Sequence, residues 1–115
     1  MRKSLTRNER LSGKREIEAL FAQADRFEAG TVRLLVRPNG RRFNRILTTA
    51  RRGFSSAPAR NRQKRILREI YRNCKHDLKQ GFDLAFILMR EESSFSDLRE
   101  TVVRLLRRAG LFCTT

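Results

Sequence analysis

Positively charged side chains are concentrated in one part of this sequence. Residues 37–72 hold 12 lysines and arginines and a single acidic residue, Glu69, so this stretch carries +11 of the chain's formal charge of +15. Lysine and arginine bind phosphate groups through charge and hydrogen bonds, and arginine can hold a phosphate with two parallel N–H groups. A local surplus of this size is typical of a surface that binds a polyanion. Nucleic acid, an acidic protein and an anionic membrane are the candidate partners.

The spacing in residues 60–75 predicts a helix with two different sides. At about 100° per residue, the apolar side chains fall together: Ile66, Leu67, Ile70, Tyr71 and Cys74. Another side, which we call the cationic face, consists of Asn61, Lys64, Arg65, Arg68, Arg72 and Lys75. Arg60 and Arg62 flank it. We expect the apolar side to pack on a sheet and the cationic face to point outward.

A solvated helix face usually carries acids among its cations. Acidic residues at i±4 relieve the repulsion between like charges. Here Lys64, Arg68 and Arg72 stand at i, i+4 and i+8, with only Glu69 close by. Phosphate groups would supply the missing anions, so the pattern favours nucleic-acid binding over a solvated face. It leaves RNA and DNA open, because zinc-finger spacings, a leucine zipper and the short motifs of common RNA-binding domains are absent.

Residue types that perform catalysis are few and scattered. Cys74 and Cys113 are 39 residues apart, which fits neither a zinc site nor a disulfide framework, so we predict two reduced thiols. Nothing in the sequence pairs the single histidine, His76, with a nucleophile. Asp83 is interpreted as a strand-edge polar residue and Glu91–Glu92 as a solvated turn. We therefore predict no catalytic residue and no metal site in the protein.

The length of 115 residues suits one domain, residues 1–115, and we predict that residues 1–11 form a flexible basic arm. No apolar run approaches the roughly 18 residues of a membrane span. The basic N-terminus lacks the apolar core of a secretory signal. Together with reduced thiols, these features predict a cytoplasmic protein that does not bind membranes.

Hydrophobic spacing also predicts the elements of the first half. Helical spacing of apolar residues predicts a helix over residues 14–24. Alternation predicts strands over residues 31–37 and 43–50, antiparallel to each other across the turn Pro38-Asn39-Gly40. A further short strand is possible near residues 27–30.

The second half continues with a helix, a strand and a helix. Ser55 or Ser56 is the expected cap of the cationic helix, which should end near Lys79. An apolar run over residues 82–89 predicts a buried strand, and a last helix begins between residues 93 and 96 and stops at Gly110. The order α-β-β-(β)-α-β-α predicts an α+β fold, a two-layer sandwich.

One string on the cationic helix adds a resemblance to these patterns. Arg60-Asn61-Arg62-x-Lys64-Arg65-x-x-Arg68-Glu69 resembles the RNR signature of the bacterial ribonuclease P protein family. The order of elements is similar as well, over about Leu11 to Phe112. The resemblance implies a fold like the second domain of ribosomal protein S5, with a left-handed crossover around the RNR helix.

The resemblance also implies roles for individual residues. The catalytic RNA would be bound by Arg60, Asn61, Arg62, Lys64, Arg65, Arg68 and Arg72. The 5′ leader of precursor tRNA would be bound in a cleft between the first helix and the sheet, with the help of Ile17, Phe21, Arg51 and Arg52. For Ile17 and Phe21, packing of the helix on the sheet is the alternative interpretation. Phe54 is either a platform for a base or a core anchor.

Two positions depart from the family pattern. Ile17 stands where the family often has an aromatic residue, which leaves an apolar wall without a stacking ring. Arg51-Arg52-Gly53-Phe54-Ser55 replaces the usual Ser-Lys-Lys-x-Gly, which keeps the basic pair and displaces the glycine.

The implied function is that of an accessory subunit in a ribonucleoprotein endonuclease. The RNA would be the catalyst, Mg²⁺ would be held mainly by RNA phosphates, and the protein would assist removal of the 5′ leader from precursor tRNA. The expected partners are the catalytic RNA and precursor tRNA, with no obligate protein partner. The alternative is a structural ribosomal or general RNA-binding protein without a part in processing.

Overall fold

In the computed structural model, which describes residues 7–51, 56–90 and 94–113, a four-stranded sheet carries helices on both faces. The elements follow in the order α1 (Lys14–Gln23), β1 (Asp25–Ala29), β2 (Val32–Pro38), β3 (Arg45–Ala50), α2 (Ala57–Cys74), β4 (Phe82–Leu88) and α3 (Phe95–Arg108). Short 3-10 helices occupy Arg7–Glu9 and Lys75–Asp77. The predicted α+β class and element order are confirmed, and β1 is the additional short strand.

The strands lie side by side in the order β1-β2-β4-β3. β2 pairs with β1 and with β4 in antiparallel fashion, whereas β3 pairs with β4 in parallel. β2 and β3 therefore run in opposite directions, as predicted, but β4 lies between them. β4 takes the central place because six of its seven residues are buried, and a strand that is apolar on both faces suits the middle of a sheet.

Helix α2 connects the parallel neighbours β3 and β4 and thus forms the crossover of the fold. Its two flanking strands pair in register from Arg45 opposite Asp83 to Ala50 opposite Leu88. This arrangement places the start of α2 beyond the C-terminal end of β3, where β4 also ends. The left-handed sense implied by the resemblance stays a prediction.

One sheet face is covered by α2 and α3. The alternation predicted for the second strand is confirmed, because Val32, Leu34 and Val36 all point into this core. Leu84, Phe86 and Leu88 of β4 join them from the neighbouring strand. The helices contribute Leu67, Ile70, Tyr71, Leu98, Val102 and Leu105. Burial of this surface stabilises the position of α2 on the sheet.

The opposite sheet face is partly covered by α1. Leu20 of α1 is fully buried against Leu35, Ala85 and Ile87 of the sheet. Leu11 completes this second cluster, and its backbone N–H donates to the carbonyl oxygen of Ile46 at 2.8 Å. The segment just before α1 therefore pairs with β3, which differs from the flexible arm predicted for residues 1–11. Residues 1–6 of that arm lie outside the described residues.

Capping side chains and turns define the helix ends. Ser56 caps α2, and its hydroxyl accepts the backbone N–H of Ala59 at 3.2 Å. α2 ends at Cys74, before the predicted Lys79, because Lys79 pairs instead with the C-terminal segment, donating its N–H to Leu111. Gly110, with φ 72°, ends α3 as predicted. Within the described residues, no helix is both long and apolar enough to cross a membrane.

Candidate nucleic-acid interface

The apolar side of α2 determines which of its side chains face solvent. Leu67, Ile70 and Tyr71 are buried, and Ile66 and Cys74 pack against the same core, which confirms the predicted apolar stripe. Because this stripe packs the C-terminal half of α2 against the core, the cations of α2 project from a helix that is fixed on the sheet. A rigid helix is a precise support for a binding surface.

The predicted RNA-binding residues occupy the outer side of α2 and its flanks. Three of them are exposed: Asn61, Arg62 and Arg65. Four are half-buried: Arg60, Lys64, Arg68 and Arg72. The structure therefore brings all seven onto one helix, with the three exposed side chains at its N-terminal half.

Two of the half-buried arginines are held by the neighbouring strand β3. Arg60 donates from Nη2 to the carbonyl oxygen of Ala50 at 2.9 Å, and Arg68 donates from Nε to the hydroxyl of Thr48 at 3.2 Å. These bonds restrict both guanidinium groups while leaving further N–H groups for a ligand, since arginine has five donors. Restricting long side chains before binding lowers the entropy cost of binding.

The C-terminal end of the cationic face differs from the prediction. Lys75 is 6% exposed, and its Nζ lies 3.0 Å from each carboxylate oxygen of Glu9. The prediction that Lys75 belongs to the outward face is wrong, because the segment before α1 folds over the end of α2 and brings an acid to it. Arg72 also forms an ion pair, with Glu69 one turn before it.

The two residues expected to bind the leader from α1 have different surroundings. Phe21 is 46% exposed, so nearly half of its surface is open to solvent. Ile17 is half-buried and packs against the cluster around Leu20, together with Leu47 and Met89 of the sheet side. The structure thus places an exposed ring beside an apolar surface between α1 and the sheet.

The basic pair before α2 is described only at its first residue. Arg51 is exposed, and its backbone N–H donates to the carbonyl oxygen of Leu88 at 2.9 Å, which continues the pairing of β3 with β4. Arg52 and Phe54 lie outside the described residues, as does the alternative cap Ser55. Arg51 directly follows the last residue of β3, at the same end of the strands as the start of α2.

The cysteines and the histidine form no catalytic group in the described part of the chain. Burial raises the pKa of the Cys74 thiol to about 11, and Cys113 is exposed; both are free thiols. Burial likewise raises the pKa of the neighbouring Tyr71 hydroxyl, which packs against Phe86. His76 is an exposed residue of the 3-10 helix after α2. A neutral, partly buried thiol is a poor nucleophile.

The two thiols should therefore react at very different rates. At pH 8, we expect a thiol reagent to modify Cys113 and to modify Cys74 about tenfold more slowly or less, because the Cys74 thiolate is scarce and partly covered. Mass spectrometry of the native chain, with the urea-unfolded chain and Cys113→Ser as controls, measures both rates. Equal rates in the native chain would contradict the burial of Cys74.

A buried ionic network that sequence patterns did not predict lies beneath α1. Asp83 is 4% exposed, and its two carboxylate oxygens accept the Nε and Nη2 groups of Arg45 at 2.8 Å each. The amide of Asn39 donates to the same carboxylate at 2.9 Å. Asp83 is thus not a strand-edge residue, since β4 is central. The sequence feature that could have predicted this network is one charged residue in each of two apolar strands, Arg45 in β3 and Asp83 in β4.

This network also bears on metal binding. In the described ranges, no group of three or more histidine, cysteine, aspartate or glutamate residues could hold a metal ion. The oxygens of Asp83 already accept hydrogen bonds from Arg45 and Asn39. Glu91–Glu92 lies outside the described residues. The donor set of the described chain therefore does not fit a Mg²⁺ ion, which prefers several carboxylate, phosphate or water oxygens.

The fold and the charge distribution define a class, namely a small basic α+β protein with a cation-rich helix, α2, that connects two parallel strands. A family model described as Ribonuclease P matches residues 5–110. The chain therefore belongs to the ribonuclease P protein family. This family provides the protein component of an endoribonuclease of tRNA processing.

Relatives from several bacteria have similar sequences over most of their length. The chain is 32% identical over 114 residues to the ribonuclease P protein component of Thermotoga sp. (strain RQ2), covering 94% of this chain and 97% of that one. It is 27% identical over 101 residues to that of Clostridium botulinum (strain Loch Maree), covering 85% and 91%.

Solved structures of the family have the same fold. The RNase P protein of Thermotoga maritima, solved in complex with 1-(4-fluorophenyl)-2-thiourea, has a TM-score of 0.79 at 30% identity and covers 86% of this chain and 98% of its own. The RNase P protein of Staphylococcus aureus has a TM-score of 0.83, at 15% identity, over 90% and 97%. The second likeness supports the fold alone.

Proposed function

We propose that this chain is the protein subunit of a cytoplasmic ribonuclease P and that it binds the catalytic RNA through α2. One observation carries the proposal: Asn61, Arg62 and Arg65 are exposed on a helix whose other side is buried. No acid of the described chain lies within ion-pair distance of either arginine. RNA phosphates would supply the counter-charges for these arginines.

The leader of precursor tRNA would lie between α1 and the sheet. Phe21 offers an exposed ring on which a base can stack, while Ile17 forms part of the apolar wall beside it. Stacking on an aromatic ring tolerates any base, which suits a protein that meets many different leader sequences. Arg51 and Arg52 would bind leader phosphates near the start of α2.

Catalysis is assigned to the RNA. Mg²⁺ would supply Lewis-acid chemistry at the scissile phosphate and would be held mainly by RNA phosphates, since the described chain offers it no suitable cage of oxygens. The residues of this chain would act by binding. Its cations would reduce the repulsion between the catalytic RNA and the substrate, which are both polyanions.

Binding of the catalytic RNA should weaken steeply with salt. If about five cations contact phosphates, the slope of log K against log salt should be about −4. This corresponds to a loss of roughly two orders of magnitude in affinity between 50 and 200 mM salt. Filter-binding titrations at four salt concentrations and fixed Mg²⁺ measure the slope. A slope near zero would exclude phosphate contacts as the source of affinity.

Replacing Phe21 should weaken binding of the leader selectively. For Phe21→Ala, we expect affinity for precursor tRNA to fall about tenfold, because stacking contributes about 1–3 kcal/mol per base, while affinity for mature tRNA is unchanged. Phe95→Ala is a matched control, since Phe95 on α3 is exposed to the same degree, 47% against 46%. Equal effects of the two substitutions would argue against a leader site at Phe21.

Reconstitution tests the proposed function directly. The purified chain is mixed with the ribonuclease P RNA of the same organism and a precursor tRNA at low Mg²⁺, and release of the 5′ leader is followed by gel electrophoresis. The expected result is faster cleavage than with RNA alone. Tight binding of ribosomal RNA without any stimulation of cleavage would support the structural or general RNA-binding alternative instead.

A further inference from the structure

The structure contains a basic hollow that the proposed function does not use. It has a volume of about 300 Å³ and lies where β2 ends and where β3 and β4 begin, against the first half of α1. Its basic side chains are Arg15, Arg37, Arg41 and Arg45. The acids Glu16 and Asp83 line it as well. Four guanidinium groups and two carboxylates leave this hollow with a net charge of +2.

The wall of the hollow is built around one buried carboxylate. Asp83 receives two hydrogen bonds from Arg45 and one from Asn39, all between 2.8 and 2.9 Å. Arg45 also donates from Nη1 to Glu16 of α1 at 2.7 Å. The side chain of Arg45 is only 12% exposed. These bonds connect α1, β3, β4 and the turn after β2, so the wall is rigid.

The same hydrogen bonds pair both acids of the hollow, whereas two of its arginines remain without an acidic partner within the ranges that the structure describes. Both oxygens of Asp83 are used by Arg45 and Asn39, and Glu16 binds Arg45 with a weaker contact to Arg41 at 3.9 Å. Among the described residues, no carboxylate lies within 4.0 Å of the guanidinium groups of Arg15 or Arg37. Arg37 is half-buried and lies directly opposite Asp83 on the neighbouring strand.

We propose that this hollow binds a phosphate group, with Arg37 and Arg15 as its ligands. A guanidinium group matches two phosphate oxygens in its planar fork, and two such groups beside the neutralised Arg45–Asp83 pair balance a phosphate charge of −1 to −2. The hollow is large enough for one phosphate with bridging waters, since a water occupies about 30 Å³. A neutral ligand would leave the half-buried Arg37 without a counter-charge.

The hollow is separate from the proposed leader site. On α1, the residues that line the hollow and the residues at the leader site lie on opposite sides of the buried Leu20: Arg15, Glu16 and Ala19 on one, Ile17 and Phe21 on the other. The helix itself, about 10 Å across with its side chains, stands between them. The hollow is also distinct from the cationic face of α2, so phosphate binding in the hollow neither requires nor excludes the proposed function.

Two sources can supply the phosphate, and a titration distinguishes them. The full chain, labelled with ¹⁵N, is titrated with inorganic phosphate at constant ionic strength, and the Nε–H signals of its arginines are followed by NMR. A second titration uses a short single-stranded RNA without terminal phosphates. We expect saturable shifts at Arg37 and Arg15. If the phosphate concentration at half-saturation is lower with RNA than with inorganic phosphate, backbone phosphate is the ligand. If it is lower with inorganic phosphate, the free ion is the ligand.

Matched variants keep the inference falsifiable. Arg37→Gln should weaken binding at the hollow about fivefold or more, whereas Arg104→Gln, an equal change of charge at an exposed position of α3, should not. Thermal melts of both variants show whether the fold is kept. Shifts confined to the arginines of α2, or shifts at the hollow that Arg37→Gln leaves unchanged, would overturn the inference. In the first of these outcomes the proposed role of α2 would still stand.

Discussion

Reversing the charges of Arg62 and Arg65 together is expected to weaken binding of the ribonuclease P RNA by about 100-fold. Each arginine is exposed on α2, and a hydrogen bond to a charged group contributes about 1.5–3 kcal/mol. A loss of roughly 1.4 kcal/mol is tenfold in affinity, so two independent contacts amount to about two orders of magnitude. Filter binding of Arg62→Glu/Arg65→Glu at fixed salt and Mg²⁺ measures the loss.

The control for this variant is an equal charge change on another helix. Arg99 and Arg104 are exposed on α3, so Arg99→Glu/Arg104→Glu alters the net charge by the same amount. If affinity depended on net charge alone, both double variants would bind equally weakly, and α2 would not be the interface. Because neither pair of side chains is buried, both variants should retain the thermal stability of the parent chain.

Replacing Asp83 by asparagine is expected to lower the free energy of unfolding by about 3 kcal/mol. The side chains of Asp83 and Arg45 are only 6% and 12% exposed, and their hydrogen bonding raises the pKa of Arg45. Without the carboxylate, a nearly buried guanidinium keeps only Glu16 as a counter-charge. Removing one partner of a buried ion pair is far more costly than the pair is stabilising, because the remaining charge stays away from water.

Urea unfolding followed by circular dichroism measures this loss, and the chain contains a matched exposed pair. Glu28 and Arg33 lie on neighbouring strands with 2.6 Å between their charged atoms, yet their side chains are 54% and 26% exposed. Glu28→Gln should therefore cost less than about 1 kcal/mol. If Asp83→Asn cost no more than Glu28→Gln, then Arg45 would be adequately solvated or paired without Asp83.

Strand β3 takes part both in the hydrogen bonds that hold α2 and in the buried ionic network around Asp83. This strand holds Arg60 and Arg68 of α2 through Ala50 and Thr48, and it carries Arg45 at its opposite end. Loss of the Arg45–Asp83 pair should therefore loosen the start of β3 more than the anchors of α2, which lie at its far end. Residual RNA binding by a destabilised but folded Asp83→Asn chain would agree with this separation.

The sequence by itself determined the two sides of α2. Helical periodicity alone places Leu67, Ile70 and Tyr71 on one side and Arg65 on the other, and this requires no information about distant parts of the chain. The alternation of Val32, Leu34 and Val36 predicted one face of β2 in the same way. The string that includes Arg60, Asn61 and Arg62 indicated the family, which the family match over residues 5–110 confirms.

Only the tertiary structure decided how the charged residues pair. Lys75 belongs to the cationic face by periodicity, but Glu9 lies 66 residues away in the chain and covers it. Arg45 and Asp83 are 38 residues apart and meet because β4 enters the sheet beside β3. Periodicity describes where a side chain points on its own element. Whether that side chain is buried, paired or left free for a ligand depends on which other elements pack against it.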